Sequence, residues 1–146
     1  MTRKGTNPLG FYRKDPMADV QNQIPGWPAN LWLQKVTIPA SGSKSELLNT
    51  QGRALVGIFM PSAWTAADIG FEANWDSNPN DMFVVYAAGG TIQTVTVDAN
   101  QYIAFPMTSV SFVPYMKITS VASGSATPTV QAAAREIILV FRNFLS

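Results

Sequence analysis

Ile69-Gly70-Phe71-Glu72-Ala73-Asn74-Trp75, followed at once by Asp76-Ser77-Asn78-Pro79-Asn80-Asp81, decides the fold class. The first seven residues alternate with a period of two. That is the periodicity of a strand with one face on a core and one toward water. Ile69, Phe71, Ala73 and Trp75 are expected on the core side, with Glu72 and Asn74 opposite. The next six residues are turn formers: Asn and Asp fold onto their own backbone, and Pro79 fixes φ. A strand stopped by such a turn implies a returning strand, expected over Met82 to Tyr86.

The same grammar extends in both directions. Upstream, Leu31 to Ile38 reads as a strand ended by Pro39, and Ala40 to Lys44 as a turn. Glu46-Leu47-Leu48 reads as a short strand, and Arg53 to Met60 as a nearly continuous apolar strand buried on both faces. Ser62 to Asp68 reads as a loop or one helical turn. Downstream, Ala88-Gly89-Gly90 turns into Thr91 to Val97, and Asp98-Ala99-Asn100 into Gln101 to Phe105. Pro106 to Ser111 reads as a loop. Tyr115 to Ser120 alternates, Val121 to Pro128 is a Ser/Gly/Thr loop, and Glu136 to Arg142 closes the chain as a strand. Eight or nine short strands at regular spacing predict an all-β fold, an antiparallel β-sandwich or jelly roll, over 31–146.

Residues 1–30 break the pattern. They have neither strand nor helix periodicity and are divided by Pro8, Pro16, Pro25 and Pro28. This predicts an extended N-terminal arm. Ordering an arm costs roughly 1–2 kcal/mol per residue, so it must bind something to gain order. Arg3, Lys4, Phe11, Tyr12, Arg13, Lys14 and Trp27 are the residues expected to make the arm's contacts with a partner or another subunit, with Trp27 as an aromatic anchor between prolines.

Composition narrows the chemistry. Of 146 residues, 13% are charged and 47% apolar, so small polar residues replace the missing charge. Such a surface suits strands packing against other subunits, and it is also common to β-rich domains in general. A net charge of +1 argues against general nucleic-acid binding, but the signs are segregated. Residues 1–14 are basic, whereas between Arg53 and Lys117 all charges are acidic: Asp68, Glu72, Asp76, Asp81 and Asp98. Arm and middle are matched for attraction between copies. With no cysteine and no histidine, thiolate chemistry, disulfides and the commonest general base and zinc ligand are excluded. The start Met-Thr-Arg-Lys has no apolar signal-peptide core, and no apolar run reaches membrane-spanning length. A protein made and used in a cytoplasm, or carried inside an assembly built there, with no membrane partner, is expected.

Three constellations are candidates for sites. The oxygen-rich turn Asp76 to Asp81 has donors for a hard cation, but it lacks the glycine and the closing glutamate of an EF-hand; it reads as a turn, and no metal is expected. Asp68, Glu72, Asp76 and Asp81 contain the carboxylates of a glycosidase pair without supporting elements, so no catalytic residues are expected. Trp64, Trp75, Tyr86 and Tyr102 could form a sugar-stacking face, although aromatics in a sandwich usually fill its core, and Trp75 is expected there. No cofactor is called for.

Several segments taken together resemble a family: Ala54 to Trp64, Ile69 to Ala73 with its Asp/Asn turn, Val97, Gln101 to Ala104, Tyr115 to Ser120, and Gln131 to Val140. This set is similar to the β-sandwich cement or decoration proteins of tailed-phage heads, over roughly residues 51–142. The arm is not covered, and the same skeleton resembles discoidin-like and sugar-binding jelly rolls. The resemblance implies a non-enzymatic virion protein on the capsid's outer surface. It would be a homotrimer that bridges neighbouring subunits of the major capsid protein. A carbohydrate-binding module, or a structural subunit of the phage tail or neck, are the alternatives.

Overall fold

A computed structural model describes residues 31–105 and 113–143. The expected arm and the loop after Pro106 lie outside the described residues. Nine strands form: β1 Leu31–Ile38, β2 Leu48–Asn49, β3 Ala54–Phe59, β4 Asp68–Asn74, β5 Phe83–Val84, β6 Thr94–Thr96, β7 Tyr102–Ala104, β8 Tyr115–Val121 and β9 Arg135–Arg142. No helix occurs among the described residues, and the segment from Ser62 to Ala67 is irregular.

The strands pair antiparallel in two sheets, one ordered β1-β9-β3-β7 and the other β2-β8-β4-β5, with β6 also on β4. The pairs β1·β9, β2·β8, β3·β7 and β4 with β5 and β6 are nested in sequence. One long hairpin has therefore been rolled up, which brings β9 against β3 and β8 against β4. This is the jelly-roll order, with β5 and β6 sharing one strand position along β4.

The core follows from the alternation. From β1 come Val36 and Ile38, from β4 Ile69 and Phe71, from β8 Met116 and Ile118, and from β9 Ile137, Leu139 and Phe141. Fully burying each such side chain stabilises the fold by ~1.5–3 kcal/mol. In β3 the register against β9 slips between Leu55 and Gly57. That bulge inserts Val56 and resets the phase, so Leu55 and Ile58, three apart, both reach the core. The continuous apolar run of β3 thus reflects a bulge, and burial on both faces is incomplete: Phe59 on the outer side is 40% exposed.

One buried amide ties the 62–67 loop to the sheets. The Gln131 side chain is wholly buried. Its Nε2 donates to the Thr65 carbonyl at 3.0 Å and to Ser120 Oγ at 2.8 Å. Its Oε1 accepts from Thr65 N at 2.9 Å and from Arg135 Nε at 3.1 Å. At the far end of the sandwich, the Arg53 guanidinium lies 3.9 Å from the centroid of the Trp32 ring and donates to Asn143 Oδ1 at 2.8 Å. Partial burial lowers the pKa of Arg53 below its ordinary value.

Candidate functional site

Among the described residues, two apolar surfaces stand out beyond the core. The first is the outer face of the β1-β9-β3-β7 sheet. Registers place Leu33 beside Val140, Val140 beside Gly57, and Gly57 beside Ala104 in one row across it. The next row runs through Lys35, Ile138, Phe59 and Tyr102. Among the described residues, the charges on this face are the exposed ion pair Lys35 to Glu136, at 3.8 Å, and Arg142 at its end, in register with Leu31 and Ala54. Val140 is 4% exposed although it points away from the core. Phe59 and Tyr102 stack with centroids 4.5 Å apart, and Tyr102 lies over Gly57, where an added Cβ would meet its hydroxyl. An antiparallel sheet facing only water ordinarily alternates apolar and polar. In this one the middle rows are apolar on the outer side as well.

The second surface is the end of β4. Trp75 follows the last paired residue, Asn74, and stacks on Phe83 of β5 with centroids 5.4 Å apart and planes at 27°. Trp75 is 69% exposed and Phe83 49%. The expectation that Trp75 sits in the core is therefore corrected. The alternation continues one residue past the point where another strand can cover it. Tyr86 and Tyr102 are also exposed, while Trp64 packs partly buried against the core and donates through Nε1 to the Ala67 carbonyl.

The oxygen-rich turn spends much of its polar capacity on itself. Asp76 Oδ1 accepts from Asn74 Nδ2 at 3.0 Å and Asn78 N at 2.9 Å, and Asn78 Oδ1 accepts from Asn80 N at 3.0 Å. Lys117 Nζ donates to the Pro79 carbonyl at 2.9 Å. Among the described residues, no group of three His, Cys, Asp or Glu side chains could hold a metal ion. The carboxylates remain exposed at Asp76 and Asp81, on either side of the turn next to the Trp75–Phe83 stack.

The other acids have local tasks. Asp68 Oδ2 accepts from Gly124 N at 3.3 Å. Glu72 Oε2 meets Lys44 Nζ at 2.8 Å, and its Oε1 is buried without a hydrogen-bond partner. This pair lies in a solvent-open cleft of ≈ 300 Å³ on the outer face of the second sheet, floored by Gly70 and walled by Val84, Ile92 and Thr119.

Arg3, Lys4, Phe11, Tyr12, Arg13, Lys14 and Trp27, the arm residues expected to make contacts, all lie outside the described residues. Sequence reasoning missed the outer face of the first sheet as a surface. Its signal was present in Ile137-Ile138-Leu139-Val140-Phe141, a run without alternation. No family model, curated protein or solved structure matches the chain, so the functional reading rests on these side chains and on the resemblance.

Proposed function

We propose that this chain is a non-enzymatic structural protein of a tailed-phage virion, cementing the capsid from its outer surface by bridging neighbouring major capsid protein subunits, as a homotrimer. The observation that carries the reading is the outer face of the β1-β9-β3-β7 sheet. Leu33, Ile138, Phe59 and Tyr102 give its middle rows an apolar surface, with the Lys35–Glu136 ion pair and Arg142 toward its ends. A face of that kind gains free energy by meeting another protein surface, and a self-complementary one favours closed symmetry. A head under internal pressure needs buried contact area, and a rigid small jelly roll with a basic arm supplies it. Arms threading between subunits add contacts at high effective concentration.

The test is copy number. Quantitative mass spectrometry of purified particles is expected to find hundreds of copies per virion. A handful of copies would move the protein to the tail or neck, and none would refute the virion reading. A chain lacking residues 1–30 is expected to keep its β-type circular dichroism and to lose head binding.

The exposure of Trp75 favours one second reading. An exposed tryptophan beside Asp and Asn side chains is also the chemistry of sugar stacking, so a carbohydrate-binding jelly roll is the alternative. Glycan-array binding that depends on Trp75 would support it.

A further inference from the structure

We propose that the Trp75–Phe83 stack, with Asp76 and Asp81 beside it, is the acceptor for the basic arm of a second copy of this chain, taking the segment Phe11-Tyr12-Arg13-Lys14. The proposal rests on the reading of the arm as a segment ordered by another polypeptide, and it names where that segment lands.

Three observations select this occupant. The first is chemical match. The acceptor offers two exposed rings in contact, Trp75 and Phe83, next to two exposed carboxylates. The arm segment offers two rings followed by two cations. Aromatic contact and cation–π attraction can combine with carboxylate pairing over the same few residues. Among the described residues, the cation bonded to this turn is Lys117, and it donates to the Pro79 carbonyl. The second observation is charge. Residues 106–112 read Pro-Met-Thr-Ser-Val-Ser-Phe and carry no charge, so they offer no counter-ion to Asp76 and Asp81. The arm carries four cations before its first acid.

The third observation is reach. Leu31 is paired to Arg142, which pairs to Ala54, so the chain enters β1 at the end of the sandwich where Asn74 pairs with Tyr115. β1 and β5, however, are on opposite edges. Crossing one subunit spans three strand spacings and one sheet separation, roughly 20 Å. Lys14 precedes Leu31 by seventeen residues, a contour of roughly 55 Å at about 3.1–3.3 Å per residue. Pro16, Pro25 and Pro28 within that stretch oppose folding back. That contour exceeds the crossing, so the basic segment has the length to pass beyond its own subunit and meet a neighbour's patch.

The absence of cysteine makes the test clean. Full-length chain carrying Gly10→Cys is mixed with full-length chain carrying Asn80→Cys, and disulfide-linked heterodimer is followed by mass under mild oxidation. The control partner carries Ser123→Cys, on an exposed loop. Trapping is expected at least about tenfold faster with Asn80→Cys than with the control, and slower at high salt. Arg13→Glu with Lys14→Glu is expected to remove the excess, and Asp76→Lys with Asp81→Lys on the partner to restore it. Three results overturn the proposal: trapping at the control rate, trapping insensitive to both charge reversals, or purely intramolecular closure in a chain carrying both cysteines. Loss of glycan binding in Trp75→Ala with trapping unaffected also overturns it, by assigning the rings to sugar. Hundreds of copies per virion alongside control-rate trapping would sink this inference while leaving the cement reading intact. Fast trapping in a protein absent from virions would do the reverse.

Discussion

Gln131→Met keeps the length and nearly the volume of a wholly buried side chain while deleting its amide. Four hydrogen bonds disappear with it. Two join Gln131 to the Thr65 backbone, one to Ser120 Oγ and one to Arg135 Nε. Their costs differ. The Thr65 and Arg135 groups are partly buried, so water replaces some of what they lose, and each bond contributes about 0.5 kcal/mol. Ser120 is fully buried, and stranding its hydroxyl costs about 1–2 kcal/mol. The sum is about 3 kcal/mol. At ~2.1 cal/mol/K of unfolding entropy per residue over the 106 described residues, that lowers Tm by roughly 13 °C. The variant is assayed by thermal and urea unfolding with circular dichroism, and the m-value is expected to stay constant. In a Ser120→Ala background the cost of Gln131→Met is expected to fall by about 1 kcal/mol, because the stranded hydroxyl is gone. A Tm drop of less than about 3 °C, or no coupling to Ser120, would refute the claim that this amide holds the 62–67 loop to the sheets.

Gly57→Ala places a Cβ where the Tyr102 ring lies, so it is expected to destabilise by about 1 kcal/mol by displacing Tyr102 from Phe59; in a Tyr102→Ala background the same change should be neutral or stabilising, read by urea unfolding. Lys44→Met leaves the mostly buried Glu72 carboxylate without its cation and is expected to cost about 1–2 kcal/mol, discounted because Lys44 is half exposed, whereas Lys44→Met with Glu72→Met should return close to wild-type stability. Phe59→Glu introduces charge on the outer face of the first sheet. It is expected to shift stability by no more than about 1 kcal/mol while abolishing trimer formation in sedimentation velocity and occupancy on heads.

Much of the fold was legible because a period of two and its turn residues are local. β1 falls on the expected residues Leu31 to Ile38, and β8 and β9 fall within one residue of expectation at each end. The strand ends near the hairpin tip were less legible. Met82 to Tyr86 and Thr91 to Val97 read as full strands, yet β5 is in register with β4 only at Phe83 and Val84 and β6 only at Thr94 to Thr96, while Tyr86 and Ile92 bridge to each other between them. Both compete for the same edge of β4, seven residues long, so neither can run its full apolar length along it. That constraint is a property of the rolled hairpin and is absent from either segment alone. The bulge at Val56 is of the same kind: two buried residues three apart look like a continuous run, and the partner strand's register identifies the slip.

Trp75 shows what alternation can and cannot carry. Ile69, Phe71, Ala73 and Trp75 do share one side of β4, as the period requires. Ile69 and Phe71 are covered, Ala73 is half buried, and Trp75 stands mostly in water against Phe83. Burial therefore declines along one stripe of identical orientation. Periodicity assigns a residue to a side, whereas its burial depends on whether another layer extends over that position. Here pairing ends at Asn74, and the turn carries Trp75 past the last strand contact. A ring of this size is costly to leave in water, worth several kcal/mol of unrealised burial at ~25 cal/mol/Å². When the largest side chain of a core stripe lies just outside the core, with carboxylates at its rim, the missing layer is best sought in another chain. The same logic applies to Phe59, 40% exposed on the outer face of the opposite sheet.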